Sequence, residues 1–292
     1  MFALIKRNIK IYFSNIPGVI MSCLGALIAF FIYVGFLQEN LVSSWKSVTN
    51  ATKLLDLWMM AGIITIGGIT TSFQALGQLV KDRESRKFDD FMLTDIPIIK
   101  QYLSYVLSAT FVSFIMQLFT WTIMGVYFKI VDQVNIPQSA ILPGIGFVLL
   151  GAIAATFVNM VLALFIHSST TFSRLSAILG AAAGFMIATY MPYGTLNNGA
   201  QNMVKSIPNS YEAASLRSLF LNKLSKKLPV GMRHSMIEYL GIHFKIGNHQ
   251  LTNLDNMVVM MVMILILVIV LSSVIYLSRR KKTNSESQFS RR

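Results

Sequence analysis

Six apolar runs recur along the chain, at 18–37, 57–79, 102–127, 141–166, 175–191 and 257–277. Each approaches the ~20 residues that an α-helix needs to cross a hydrocarbon core of about 30 Å. The pattern predicts an all-α polytopic membrane protein with six transmembrane helices in a single transmembrane domain. Ahead of the first run, residues 2–16 alternate at helical spacing. Phe2, Ile5, Ile9, Tyr12, Phe13 and Ile16 share one arc, with Leu4 and Ile11 falling off it, and Lys6, Arg7 and Lys10 occupy the neighbouring arc. That pattern fits an interfacial helix lying on the cytoplasmic leaflet, or a plain basic topology signal. Pro17 then separates it from the first span.

The second run is polar in its second half, with Thr65, Thr70, Thr71, Ser72, Gln74 and Gln78. Such a helix faces protein or a wet cavity rather than lipid. Hydroxyls bonding back to their own helix account for the threonines but not for both glutamines. Thr71, Gln74 and Gln78, with Gln117 in the third run and Asn159 in the fourth, are the first candidates for the lining of a translocation path. Asn159 by itself reads rather as interhelical glue. Gly180 and Gly184 form a GxxxG pair in the fifth run, which permits close helix approach.

Between the second and third runs lies an island of charge, VKDRESRKFDDFMLTDIPIIK, at 80–100. Hydrocarbon cannot solvate so many charges, so this loop lies in water. Within it Phe88, Phe91 and Met92 fall on one face of a short helix, and Pro97 returns the chain to the membrane. A short amphipathic helix of this kind suits docking to a soluble partner.

The 292 residues are 54% hydrophobic and only 13% charged, with mean hydropathy +0.60, against about 25% charged for a soluble domain. The net charge of +13 does not point to nucleic acid, because the basic residues cluster beside the spans, where they set topology and meet anionic lipid headgroups. The N-terminal arm, the 80–100 loop and the basic tail at 278–292, with its Arg279-Arg280-Lys281-Lys282, fall on one side of six spans. That side is expected to be cytoplasmic, with both termini there. The basic segment 193–256 is then external, offering either a cationic surface to lipids or acidic cargo, or a folded cap whose charges are merely solvated. One cysteine, Cys23, excludes an intrachain disulfide and a cysteine-based zinc site. His167, His234, His243 and His249 match no common metal spacing, so no metal is expected. The first run is too long for a signal peptide and no small-x-small site follows it. No P-loop, H-E-x-x-H, G-x-S-x-G or C-x-x-C is present, and the spans hold no carboxylate pair or lysine suited to an ion-driven carrier. A transporter of this kind draws its energy from outside the chain.

The order of these features resembles the permease subunit of ABC-2 type ATP-binding-cassette exporters, over essentially the whole chain. Two local matches carry it. Lys81-Asp82-Arg83-Glu84 followed by Phe91-Met92-Leu93-Thr94-Asp95-Ile96-Pro97-Ile98 is similar to the family's coupling segment. Ile207-Pro208-Asn209-Ser210-Tyr211 followed by Leu216-Arg217 is similar to its P-x-x-Y … L-R element after the fifth span. Ser85-Arg86 stands where the family often has Gly-Thr. The resemblance implies a bacterial cell-membrane permease that pairs with a second permease, identical or related, and with separate ATPase subunits that carry ATP and Mg; this chain itself binds no cofactor and is no enzyme. Phe88, Phe91 and Met92 would anchor a coupling helix in the ATPase, with Arg83, Glu84 and Arg86 at the rim and Pro97 closing the segment. The cargo would be amphipathic or lipophilic: a drug, an antimicrobial peptide or a lipid-linked molecule. The competing reading is a membrane immunity or sensor protein that binds a toxic peptide without ATP-driven transport.

Overall fold

The computed structural model describes residues 1–45, 48, 50–93, 96–247 and 249–289, without the side chains of Met92 and of 276–289. The chain opens with helix α1 (Phe2–Ser14), then α2 (Ile16–Ser22) and α3 (Leu24–Ile32), a π-helical turn at Tyr33–Leu37, and α4 (Gln38–Ser44). Helices α5 (Ala51–Glu84), α6 (Lys87–Met92), α7 (Ile98–Val131), α8 (Gln138–Phe165) and α9 (Ser169–Met186) follow. After a short 3-10 turn come α10 (Asn198–Lys205), α11 (Pro208–Ser225), α12 (Val230–Tyr239), the two-residue strands β1 (Lys245–Ile246) and β2 (His249–Gln250), and α13 (Asn253–Phe289). The strands pair antiparallel as a small hairpin, so the molecule is helical in all that matters to its shape.

Five stretches among the described residues are long and apolar enough to cross a membrane: Leu24–Ser44, Ala51–Glu84, Ile98–Val131, Gln138–Phe165 and Asn253–Ile275. The fifth expected span, 175–191, is not one of them. Helix α9 starts earlier, on the polar Ser169–Arg174 turn, and stops at Met186, where Ala188 adopts φ 51° and turns the chain. Of the GxxxG pair, Gly180 abuts the backbone of Gly25 in α3, whereas Gly184 lies beneath the Tyr190 ring of its own segment.

Helix α5 is the axis of the bundle. Its most apolar window is 100% buried within the chain, whereas that of α13 is only 11% buried. The polar half of α5 follows from this position, since a helix surrounded by α3, α7, α8, α9 and α11 meets backbone and amide groups rather than lipid. Helices gain little hydrophobic drive from one another in lipid, so interhelical hydrogen bonds, worth about 0.6 kcal/mol each, matter to their register. Helix α13 presents Leu254, Val258, Val262, Leu265, Ile266 and Ile269 outward, the all-apolar surface suited to hydrocarbon.

Other boundaries also differ from the sequence pattern, the first span among them, which runs Leu24–Ser44 rather than 18–37. Pro17 does not separate two elements but occupies the first turn of α2, where its missing N–H costs nothing. Val80–Glu84 belong to the last turn of α5, not to a loop. Most consequentially, the 193–256 segment contains α11, whose residues 208–217 are all buried and which packs between α5, α8 and α13.

Candidate functional site

The charged island folds against the N-terminal arm. The backbone reverses at Arg86, which adopts φ 58°, and α6 then begins with Asp89 and Asp90 in its first turn, where negative charge complements the helix dipole. At its other end Gln101 of α7 donates through Nε2 to the carbonyls of Phe91 (2.9 Å), one that the short helix leaves open, and of Ile96 (3.0 Å), just ahead of Pro97. Pro97, at φ −56° and ψ 141°, sits immediately before α7 and fixes the return.

The node beneath this helix is Asp82, 1% exposed although sequence alone places it in a solvated loop. Its carboxylate accepts a two-pronged Arg7 guanidinium (Nη1 2.7 Å, Nη2 2.9 Å), the Tyr105 hydroxyl at 2.6 Å and Gln78 Nε2 at 2.8 Å. Four donors on one carboxylate meet the cost of burying its charge. The same hydrogen bonds push Arg7 above its ordinary pKa. Arg7 also stacks over the Phe91 ring at 5.3 Å, so α1, α5, α6 and α7 meet at one ion pair. Asn8 and Tyr12 are the buried line of α1, reaching Ser108 and Ser22, while Phe2, Phe13, Ile16, Lys6 and Lys10 face outward.

The residues expected to face a partner divide accordingly. Phe88 is turned inward, with its ring centroid 5.1 Å from that of Tyr102 and 6.4 Å from that of Tyr105; it anchors α6 to its own chain. Arg83 donates to the Leu164 carbonyl at the end of α8 (3.3 Å), and Glu84 accepts from the Ser169 amide and hydroxyl at the start of α9. Both satisfy helix termini, each with the charge its helix end favours. Arg86, Lys87, Asp89, Asp90 and Leu93 remain exposed, Leu93 at 88%. The Met92 side chain, Thr94 and Asp95 lie outside the described residues.

The five path candidates do not converge. Thr71 bonds back to the Gly67 carbonyl at 2.6 Å. Gln117 lies against Gly68, where an added Cβ would come within 2.4 Å of its amide, and donates to Ser113. Asn159 donates to the Ile69 carbonyl and to Ser72 Oγ, both at 2.8 Å. These three tie α5 to itself, α7 and α8. Gln74, which accepts from Ser176 of α9 at 3.1 Å, and Gln78 instead line a small cavity between α1, α2, α5 and α9.

Two further buried polar clusters lie outside the candidate residues, the first on the 207–217 stretch that resembles the P-x-x-Y … L-R element. On α11, Arg217 is fully buried and stacks on Trp58 at 5.0 Å. It donates to the Ala188 carbonyl (2.9 Å) and Thr189 Oγ1 (3.2 Å), and reaches the Ile187 and Leu240 carbonyls at 3.5 Å, the ends of α9 and α12. Cations are favoured at helix C-termini, which is why an arginine is tolerated there; burial nevertheless lowers it to about 9. One turn earlier Glu212 is fully buried over Gly151, where no other residue leaves room for the carboxyl, and accepts from Asn209 at 2.8 Å. Desolvation pushes its carboxyl up to about 8. The second cluster joins Tyr33, in the π-helical turn, and Gln38 to Asp56 (2.6 and 2.9 Å), with Gln38 also 3.4 Å from Asp132. Among the described residues no three His, Cys, Asp or Glu side chains are grouped to hold a metal ion.

No protein-family model matches the chain, and no curated protein or solved structure does.

Proposed function

We propose that the chain is the permease subunit of an ATP-driven exporter in a bacterial cytoplasmic membrane, moving an amphipathic or lipophilic cargo with a separate ATPase subunit and a second permease. The observation that supports it most is the mounting of α6. Its Phe88 side is held by Tyr102 and Tyr105, its end by Gln101, and its flank by Arg7 over Phe91. Asp89, Asp90, Lys87 and Leu93 are left outward on a platform fixed to the ends of α5 and α7. A push on such a helix passes directly into α5 and α7, which pack along one another, and this is what coupling to a moving partner requires. The docking anchors are therefore Phe91 and the exposed Leu93, with Asp89 and Asp90 guiding association. Phe88, Arg83 and Glu84 hold the platform instead.

The test is co-purification from mild detergent after chemical crosslinking, with wild type beside Leu93→Asp and Asp89→Lys/Asp90→Lys. An ATPase that copurifies with wild type and is at least tenfold depleted from both variants, at unchanged thermal stability, supports the reading. Absence of any ATPase from wild type overturns it and favours the immunity or sensor protein.

A further inference from the structure

The cavity between α1, α2, α5 and α9 differs in kind from the other grooves, which run between α8 and α13, between α2, α3 and α7, and between α7 and α8, and are lined mainly by apolar side chains. It measures about 80 Å³, room for about five to eight waters at 10–15 Å³ each, suited to a phosphate group rather than an acyl chain. Its lining holds three unspent donors, on Lys81, Gln74 and Asn15, beside the amide oxygen that Gln78 keeps once its Nε2 donates to Asp82. Lys81 Nζ has no carboxylate partner among the described residues. Gln74 spends its Oε1 on Ser176, leaving Nε2 to donate, and Asn15 spends its Oδ1 on the Gly18 amide, leaving Nδ2. The acids nearby are already engaged: Asp82 by Arg7, and Glu84 by Ser169. Ile11, one of the two residues that fall off the apolar arc of α1, forms part of the wall, as does Phe172 of α9.

We infer that this cavity is a phosphate site, taking the phosphate of an anionic phospholipid headgroup or free phosphate of the same chemistry. A pocket beside the spanning helix α5, at the end of the molecule that carries Lys6, Lys10 and Arg86, is where an anionic headgroup meets protein, and Lys81 supplies a charge-assisted donor. The apolar rim of Ile11 lets the chains of a lipid continue along α1. The site stands independently of any ATPase partner.

The experiment is a thermal unfolding titration of the purified full chain in neutral detergent with phosphatidylglycerol, with diacylglycerol of the same acyl chains, and with inorganic phosphate. Wild type, Lys81→Gln, Gln74→Leu and the charge-matched control Lys223→Gln, at the far end of the molecule, are compared. Phosphatidylglycerol raises the Tm of wild type and of Lys223→Gln. Its apparent Kd rises about tenfold in Lys81→Gln, the scale of one charged hydrogen bond, and by less in Gln74→Leu. A shift with phosphatidylglycerol alone identifies the lipid, and one with inorganic phosphate identifies the free ion. Equal shifts with diacylglycerol, or titrations of both cavity variants that overlay wild type, overturn the site.

Discussion

Asp82 and Glu212 are two buried carboxyls resolved by opposite means. Asp82 is met by Arg7, Tyr105 and Gln78, all of which donate to it, and Arg7 depends on it in return. Asp82→Ala leaves the guanidinium and the Tyr105 hydroxyl without their acceptor and is expected to cost about 3 kcal/mol, read as a lowered Tm in detergent; Lys10→Ala, on the exposed face of α1, leaves Tm within error. Among the described residues Glu212 has only Asn209 as a donor, and its folded pKa of about 8 lies above its ordinary 4.5. The folded state therefore holds the proton more tightly than the unfolded chain. The stability it contributes is whole below about pH 4.5, declines as pH rises and is lost once pH passes about 8. Wild type should thus lose Tm between pH 5 and 8, and Glu212→Gln should lose distinctly less over the same range; identical slopes would remove Glu212 as the cause. Neither carboxyl announces itself in the sequence. Asp82 looks like one more charge in a charged run, and Glu212 like an ordinary residue of a polar segment.

At the scale of elements, α6 shows how a six-residue helix persists without length to stabilise it. The turn at Arg86 starts it, Phe88 buries it and Gln101 closes it, and each contact comes from a different part of the chain. Gln101→Leu should free the Phe91 and Ile96 carbonyls and speed hydrogen exchange of the α6 amides about tenfold, while α7 amides keep their protection. Unchanged exchange across 88–92 would mean that the ring contacts of Phe88 alone hold the element. The i, i+3, i+4 spacing of Phe88, Phe91 and Met92 made this helix legible. Which way it faced was not, because an apolar stripe fits a partner's groove and the chain's own tyrosines equally well. Helix α9 is the converse case. Its apolar composition suggested a span ending at 191, but Ala188 turns the chain and Arg217 takes the freed carbonyls.

Across the whole molecule, burial is graded from α5 at the axis to α13 at the rim. The helical membrane character, the amphipathic arm, the short helix in the charged island and most span centres follow from sequence alone, because run length, helical periodicity and the cost of charge in hydrocarbon are local properties. Composition likewise made α13 the plainest span, and it is the most exposed one. Tertiary structure decided what each polar residue faces. It brought Arg7 to Asp82 across 75 positions, sent Gln117 and Asn159 into helix packing, and gathered Asn15, Gln74 and Lys81 around one cavity. It also folded α11 from a basic, polar segment into the interior, where Arg217 meets the ends of α9 and α12. Such pairings depend on which helices become neighbours, and a hydrogen-bonding partner far along the chain leaves no trace in the local pattern of either residue.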